Sequence, residues 1–226
     1  MIRKLKALLA EFVLVRDQIV KEPPVDDKRG DWIATYTGKK FYPFDPRSED
    51  IDINDILHAL SNQSRFAGHC TKFYSVAQHC VLVSLMCPAE DALWGLLHDA
   101  TEAYLVDIPS PLKKSPAFVE YVKAEKNLMR VICDVYGLSH EEPESVKVVD
   151  KRMLATEARD LTISQGRGWT MSAEPYDFHI EPWTPEYARV RYLSRLHELT
   201  VTRNKAIVAR NMDENRVPDL GTIVRP

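Results

Sequence analysis

His98-Asp99-Ala100-Thr101-Glu102 sets an imidazole and two carboxylates within five residues of one another. It closes an apolar run, Ala92-Leu93-Trp94-Gly95-Leu96-Leu97, where charged side chains are costly unless something compensates them. A metal ion compensates an imidazole and a carboxylate together. Gln78-His79 stands upstream and Val148-Val149-Asp150 downstream, both in apolar helical contexts. Asp150 opens the stripe Met153, Leu154, Glu157, Leu161, and so points inward. His79, His98, Asp99 and Asp150, on three helices, would make one closed metal site. Glu102 follows His98 by four residues and Asp99 by three, a spacing that lets all three face one side of a helix. Two His and two Asp suit Zn, Mn, Fe, Co or Ni, with Mg also admissible, and do not favour Ca. Such a site with open positions lowers the pKa of a bound water.

Working outward, the hydrophobic period is helical almost throughout. Ile2, Leu5, Leu8, Leu9, Phe12, Val13 and Ile19 share a face over residues 2–20. Glu22-Pro23-Pro24 breaks that pattern, and residues 21–50 read as an irregular connection with room for a short hairpin at Thr37–Pro46. Asp52 is placed to cap a helix carrying Ile53, Ile56, Leu57 and Leu60; Ser75 is placed to cap one carrying Val76, Cys80, Val83 and Met86. Helices are expected over 89–105, 116–136 and 144–165, with Gly137 as a left-handed C-terminal residue. Residues 166–186 read as loop, 185–206 as a last helix, and Asn211–Pro226 as an extended or disordered tail. The pattern predicts an all-α protein.

Composition narrows the classes. With 226 residues, 45% hydrophobic and 28% charged, the chain suits one well-packed soluble domain with appendages. A formal charge of −3 argues against a broad nucleic-acid surface, so a phosphate-bearing ligand should be small and locally held. Cys70, Cys80, Cys87 and Cys133 show no Cys-x-x-Cys spacing, which fits a reduced, cytoplasmic protein. Arg3-Lys4-Leu5-Lys6 and the apolar residues after it are interrupted by Glu11, Arg16 and Asp17, unlike a signal peptide. No uncharged run is long enough to span a bilayer. A P-loop, a Gly-x-Ser-x-Gly elbow and a zincin helix are all absent, which leaves direct attack of water on phosphorus as the simplest chemistry.

The ordered set His79…His98-Asp99…Asp150 resembles the HD-domain metal-dependent phosphohydrolase superfamily. Ser61–His69, Phe73-Tyr74-Ser75-Val76-Ala77-Gln78-His79, His98–Tyr104 and Asp107-Ile108-Pro109-Ser110-Pro111-Leu112-Lys113 narrow the resemblance. It points to the branch of bacterial 5′-deoxynucleotidase-like proteins and phage dATP triphosphohydrolases, over about residues 36–165. The resemblance implies a helical bundle around a central metal held by His79, His98, Asp99 and Asp150. It implies acid–base or positioning roles for Glu102 and Asp107, and phosphate contacts from Arg65, Lys113 and His69. The implied organisation is an N-terminal helix and linker over 1–35, the HD domain over 36–206 and a tail over 207–226. The implied activity is hydrolysis of dATP to deoxyadenosine and triphosphate by a cytoplasmic homo-oligomer with no nucleic-acid or membrane partner. Release of orthophosphate from deoxynucleoside monophosphates is the alternative on the same fold. A non-catalytic nucleotide-binding protein is the alternative from another class.

Blander roles compete at several positions. His58 and His197 read as ordinary core or surface histidines. Glu102 can be a helix-surface residue, Asp107 a turn cap before Pro109, Arg65 half of a surface ion pair, and Lys113-Lys114 a solvated charge pair. Trp94, Trp169 and Trp183 read as core or interface residues before base-stacking ones. For the triphosphate, the basic residues His69, Lys72, Lys113 and Lys114 exceed what a monophosphate requires.

Overall fold

Val76–Met86 (α2) is the helix around which the others pack. Val76, Ala77, Cys80, Val81 and Val83 are buried on every side of it, so it has no solvent face to spare. A computed structural model describes residues 28–214, with side chains as far as Arg203. Within it, α2 packs on α1 (Ile53–Asn62), α3 (Ala92–Leu97), α7 (Glu144–Leu161) and α8 (Pro185–Glu214). Short α4 (Glu102–Leu105) packs on α1, and α5 (Ser110–Lys113) on α6 (Val119–Tyr136). Among the described residues the fold is all-α apart from one hairpin, β1 (Ile33–Ala34) antiparallel to β2 (Lys40–Phe41), with Ile33 opposite Phe41.

Two apolar clusters flank α2. One gathers Leu57, Leu60, Leu96, Leu97, Leu128, Ile132 and Tyr192; the other Tyr74, Trp94, Val146, Val149, Met153 and Leu161. Each fully buried Leu or Ile contributes about 1.5–3 kcal/mol. Gly95 lets α3 approach α2 closely, because a Cβ there would lie 2.8 Å from Cys87 Sγ and 3.4 Å from Ser84 Cα. The indole of Trp94 donates to Ser139 O at 3.0 Å, a core role.

The expected caps are present. Asp52 accepts from Asn54 N, Ser75 accepts from Gln78 N, and Gly137 is left-handed at φ 61°. The hairpin begins at Ile33, four residues before the expected Thr37–Pro46, so only its second strand falls within that stretch; its turn is tied to α1 by Asp55, which accepts from Thr37 N (2.7 Å) and Thr37 Oγ1 (3.0 Å).

Three boundaries differ from the sequence reading. The helix expected over 89–105 is two short helices joined through His98–Thr101, where hydrogen bonds such as Glu102 N to Asp99 O span three residues. The helix expected to reach 165 ends at Leu161, where Thr162 turns extended. The last helix runs on to Glu214, since no Gly or Pro interrupts it after Pro185. The helix predicted at 2–20 and the end of the tail lie outside the described residues. Among the described residues no helix is long and apolar enough to cross a membrane.

Candidate metal centre

His79 stands on the first turn of α2, His98 and Asp99 directly after α3, and Asp150 on the second turn of α7. The packing of α3 and α7 on α2 brings their tips together. His79 Nε2 is 3.1 Å from His98 Nε2, 3.5 Å from Asp99 Oδ2 and 3.2 Å from Asp150 Oδ1. His98 Nε2 is 3.3 Å from Asp99 Oδ2 and 3.9 Å from Asp150 Oδ1.

The tautomers follow from the outer partners. His79 Nδ1 is 2.6 Å from Glu157 Oε1, and a carboxylate only accepts, so the proton is on Nδ1. His98 Nδ1 donates to Gly95 O at 2.8 Å, which also takes up a carbonyl at the point where α3 stops. Both Nε2 lone pairs therefore aim at the same point, beside two carboxylate oxygens. Burial and Arg65 oppose a charge on His79, yet Glu157 and Asp150 push its pKa up to about 10. A positive charge is what this point demands.

A divalent ion fits the demand. Ligands about 2.1 Å from one ion lie roughly 3.0–3.4 Å apart in octahedral or tetrahedral arrangements, close to the spacings found here. The carboxylate–imidazole pair Glu157–His79 is the usual outer support of a metal-bound histidine. Cys80 also lies within reach of His98 and Asp99, but burial first, then Asp99 and Glu102, push its thiol well up and keep it neutral. His79 is fully buried and His98 nearly so, while the Asp99 and Asp150 side chains are 19% and 38% exposed. The centre is closed on the imidazole side and open on the carboxylate side.

Around that opening stand most of the other candidates. Arg65 Nη1 donates to Asp99 Oδ2 at 3.3 Å, and its Nε to Glu157 Oε2 at 3.1 Å. The next residues, Phe66 and Ala67, have φ of 54° and 51°, a strained left-handed bend that fixes where Arg65 leaves the chain. Glu102 is 4% exposed, and its Oε2 takes no hydrogen bond within the described residues. Burial, then Asp99 and Asp107, raise its pKa well above the usual range against Arg65 and Lys113. Burial likewise raises Asp107. Lys113 Nζ lies 3.6 Å from Glu102 and 2.6 Å from Glu125. His69 does not join them. It is exposed beyond the left-handed run 66–68, and no described hydrogen bond or ion pair links its ring to the centre.

Two residues escaped the sequence reading as site members. Glu157 is fully buried and accepts from His79, Tyr74 (2.8 Å) and Arg65. Gln63 donates to Glu102 O at 2.8 Å and accepts from Asp107 N at 3.2 Å, so one amide spaces both acids. The helical stripe through Glu157 carried only the signal of an inward-facing acid.

Fold and site together make an all-α protein with a two-His, two-Asp centre, buried at its imidazoles and open at its carboxylates. No family model matches the chain. It is 43% identical to the uncharacterized protein YfdR of Escherichia coli K12 over 178 residues, 77% of this chain and 99% of that one. An uncharacterized protein of Rhodobacter capsulatus is 31% identical over 137 residues, 57% of this chain and 69% of that one. The chain belongs to the family of YfdR.

Proposed function

We propose that this protein is a metal-dependent deoxynucleotide phosphohydrolase of the kind its sequence resembles. The observation that carries the reading is the convergence of two imidazoles and two carboxylates beside the buried Glu102, whose Oε2 takes no hydrogen bond within the described residues. His79, His98, Asp99 and Asp150 would hold a divalent ion, which supplies Lewis acidity at a phosphoryl oxygen and a more acidic water. Arg65 supplies a fork of donors for the phosphate, already oriented by Glu157. Glu102 holds the proton that the ester oxygen needs as its bond to phosphorus breaks. Gln63 keeps Asp107 beside Glu102 to orient the leaving group.

Charge bears on the substrate. Of the four basic residues that favoured a triphosphate, only Lys113 stands at the centre, and Glu125 already pairs with it. Lys72, Lys114 and His69 are exposed. Arg65 lies against Asp99 and Glu157, Lys113 against Glu125, and Asp150 against His79, so carboxyl groups outnumber these two cations by a margin that one divalent ion would offset. A monophosphate dianion suits that balance better than the roughly four charges of a triphosphate. The charge inventory thus favours release of orthophosphate from deoxynucleoside monophosphates over the dATP reaction. A cytoplasmic homo-oligomer is part of the same proposal, with the half-exposed Trp32, Ile33 and Tyr36 offering apolar surface between copies.

Product analysis against dNMPs, dNTPs and ribonucleotides tests this. Deoxyadenosine and orthophosphate from dAMP, faster than any product from dATP, is the expected result. Intact tripolyphosphate from dATP would restore the triphosphohydrolase. Binding without turnover by any nucleotide would leave a nucleotide-binding protein.

A further inference from the structure

Glu157 divides one buried carboxylate between two different tasks. Its Oε1 accepts from His79 Nδ1 at 2.6 Å and from Tyr74 Oη at 2.8 Å. Its Oε2 takes Arg65 through Nε and Nη2, both at 3.1 Å. The residue is fully buried, and the hydrogen bonds bridge 78, 83 and 92 residues of sequence. Burying a charge this deeply costs several kcal/mol unless its lone pairs are filled. Here they are filled by the Tyr74 hydroxyl and by one imidazole and one guanidinium that both stand at the centre.

We propose that Glu157 is the positioning residue for both halves of the site. It fixes the His79 tautomer that presents Nε2 to the ion, and it fixes the Arg65 fork that meets the phosphate. The inference rests on the metal-phosphohydrolase reading and adds to it a single residue on which metal and phosphate affinity both depend. Chemistry supports the double role. An amide at this position has one accepting oxygen, so its NH2 would face either His79 Nδ1–H or the Arg65 donors. Either way one partner turns, and the other is left on a neutral acceptor in place of a carboxylate, so both are loosened. Without the carboxylate, Arg65 would also lean on Asp99, already within 3.3 Å, and compete with the ion for that ligand. Tyr74 touches the same Oε1 but neither His79 nor Arg65 depends on its hydroxyl, which makes it the control.

Metal-stripped wild type, Glu157→Gln and Tyr74→Phe are titrated with Co2+, followed by the visible absorption of the bound ion. Orthophosphate affinity is then measured by calorimetry at saturating Co2+. Glu157→Gln should lose about 10–100-fold in Co2+ affinity, the range for outer-shell partners. It should also lose about 10-fold in orthophosphate affinity, as expected for a disordered charged hydrogen-bond donor. Tyr74→Phe should unfold at lower temperature with both affinities kept. Wild-type affinities in Glu157→Gln, loss of only one of them, or equal losses in Tyr74→Phe would each overturn the proposal. Should Glu157→Gln fail to fold, Glu157→Asp keeps the charge but is too short to serve both partners. Full retention of both affinities in that variant would overturn it equally. A wild type that takes up no Co2+ instead removes the metal reading beneath it.

Discussion

The Nε2 atoms of His79 and His98 face each other across 3.1 Å, and the Nδ1 atom of each ring is engaged by an acceptor, Glu157 and Gly95 O. Two imidazole lone pairs do not settle at that distance without a cation between or beside them. Asp99 and Asp150 add two negative oxygens to the same point. A proton answers part of the demand, which is why His79 is so basic in the bare protein. A divalent ion would answer all of it, and the spacings from the two Nε2 atoms, 3.1–3.9 Å, lie near those of a coordination shell.

Glu102→Gln separates catalyst from ligand. The amide keeps the size of the side chain but cannot exchange a proton. Turnover should fall about 100-fold or more, the range for acid–base groups, with metal content unchanged. Metal loss in this variant would make Glu102 part of the coordination shell, and an unchanged rate would make it a bystander.

Val106 supplies a test of stored strain. It is β-branched yet sits at φ 70°, ψ 148°, between Glu102 and Asp107. Such a conformation costs about 1–3 kcal/mol, and it persists because Tyr121 Oη donates to Val106 O at 2.8 Å and Gln63 holds Asp107 N. Val106→Gly relieves the strain but frees the unfolded chain, so its melting temperature should stay level or rise slightly. Its turnover should drop as Asp107 loosens. A clear fall in melting temperature with full activity would remove strain from the description of this turn.

That His79, His98, Asp99 and Asp150 belong together was legible in sequence because an imidazole or a carboxylate in apolar surroundings stands out, and those surroundings are local. Caps at Asp52, Ser75 and Gly137 were legible for the same reason: each acts within three residues of itself. Glu157 was not. Its partners are Arg65, Tyr74 and His79, on the far side of the chain, and on its own helix it is one more acid in an inward stripe. Gln63 was hidden likewise, since an amide carries no periodic signal. The break after Leu97 was invisible because His98–Leu105 keep a helical spacing; only the imidazole on Gly95 O and the three-residue hydrogen bonds show where α3 ends.

Stability should follow Asp160 in acid. Burial would raise its pKa, but Arg159, Ile180 N and His179 hold it at about 2, below the ordinary 3.8. These contacts tie the segment ending at Ile180 to α7. A depressed carboxyl pKa gives stability that is present above pH 4 and is lost as pH falls toward 2. Asp160→Asn should therefore be less stable than wild type at neutral pH, by about 1 kcal/mol after allowance for solvent around Arg159. Denaturant unfolding at several pH values should show that difference closing between pH 4 and pH 2. A difference constant across that range would mean that Asp160 is held by shape and not by charge.

Metal content of purified wild type, Asp99→Ala and His58→Ala tests the centre most directly. His58 stacks on Tyr36 at 3.8 Å beside the hairpin, apart from the four ligands, and serves as the control. One divalent ion per chain is expected in wild type and in His58→Ala, because neither change touches the coordinating atoms. Asp99→Ala removes one of four ligands and should retain little metal and no turnover. Full occupancy in Asp99→Ala, or no bound ion in wild type supplied with Zn, Co, Mn, Fe, Ni or Mg, would contradict the metal centre.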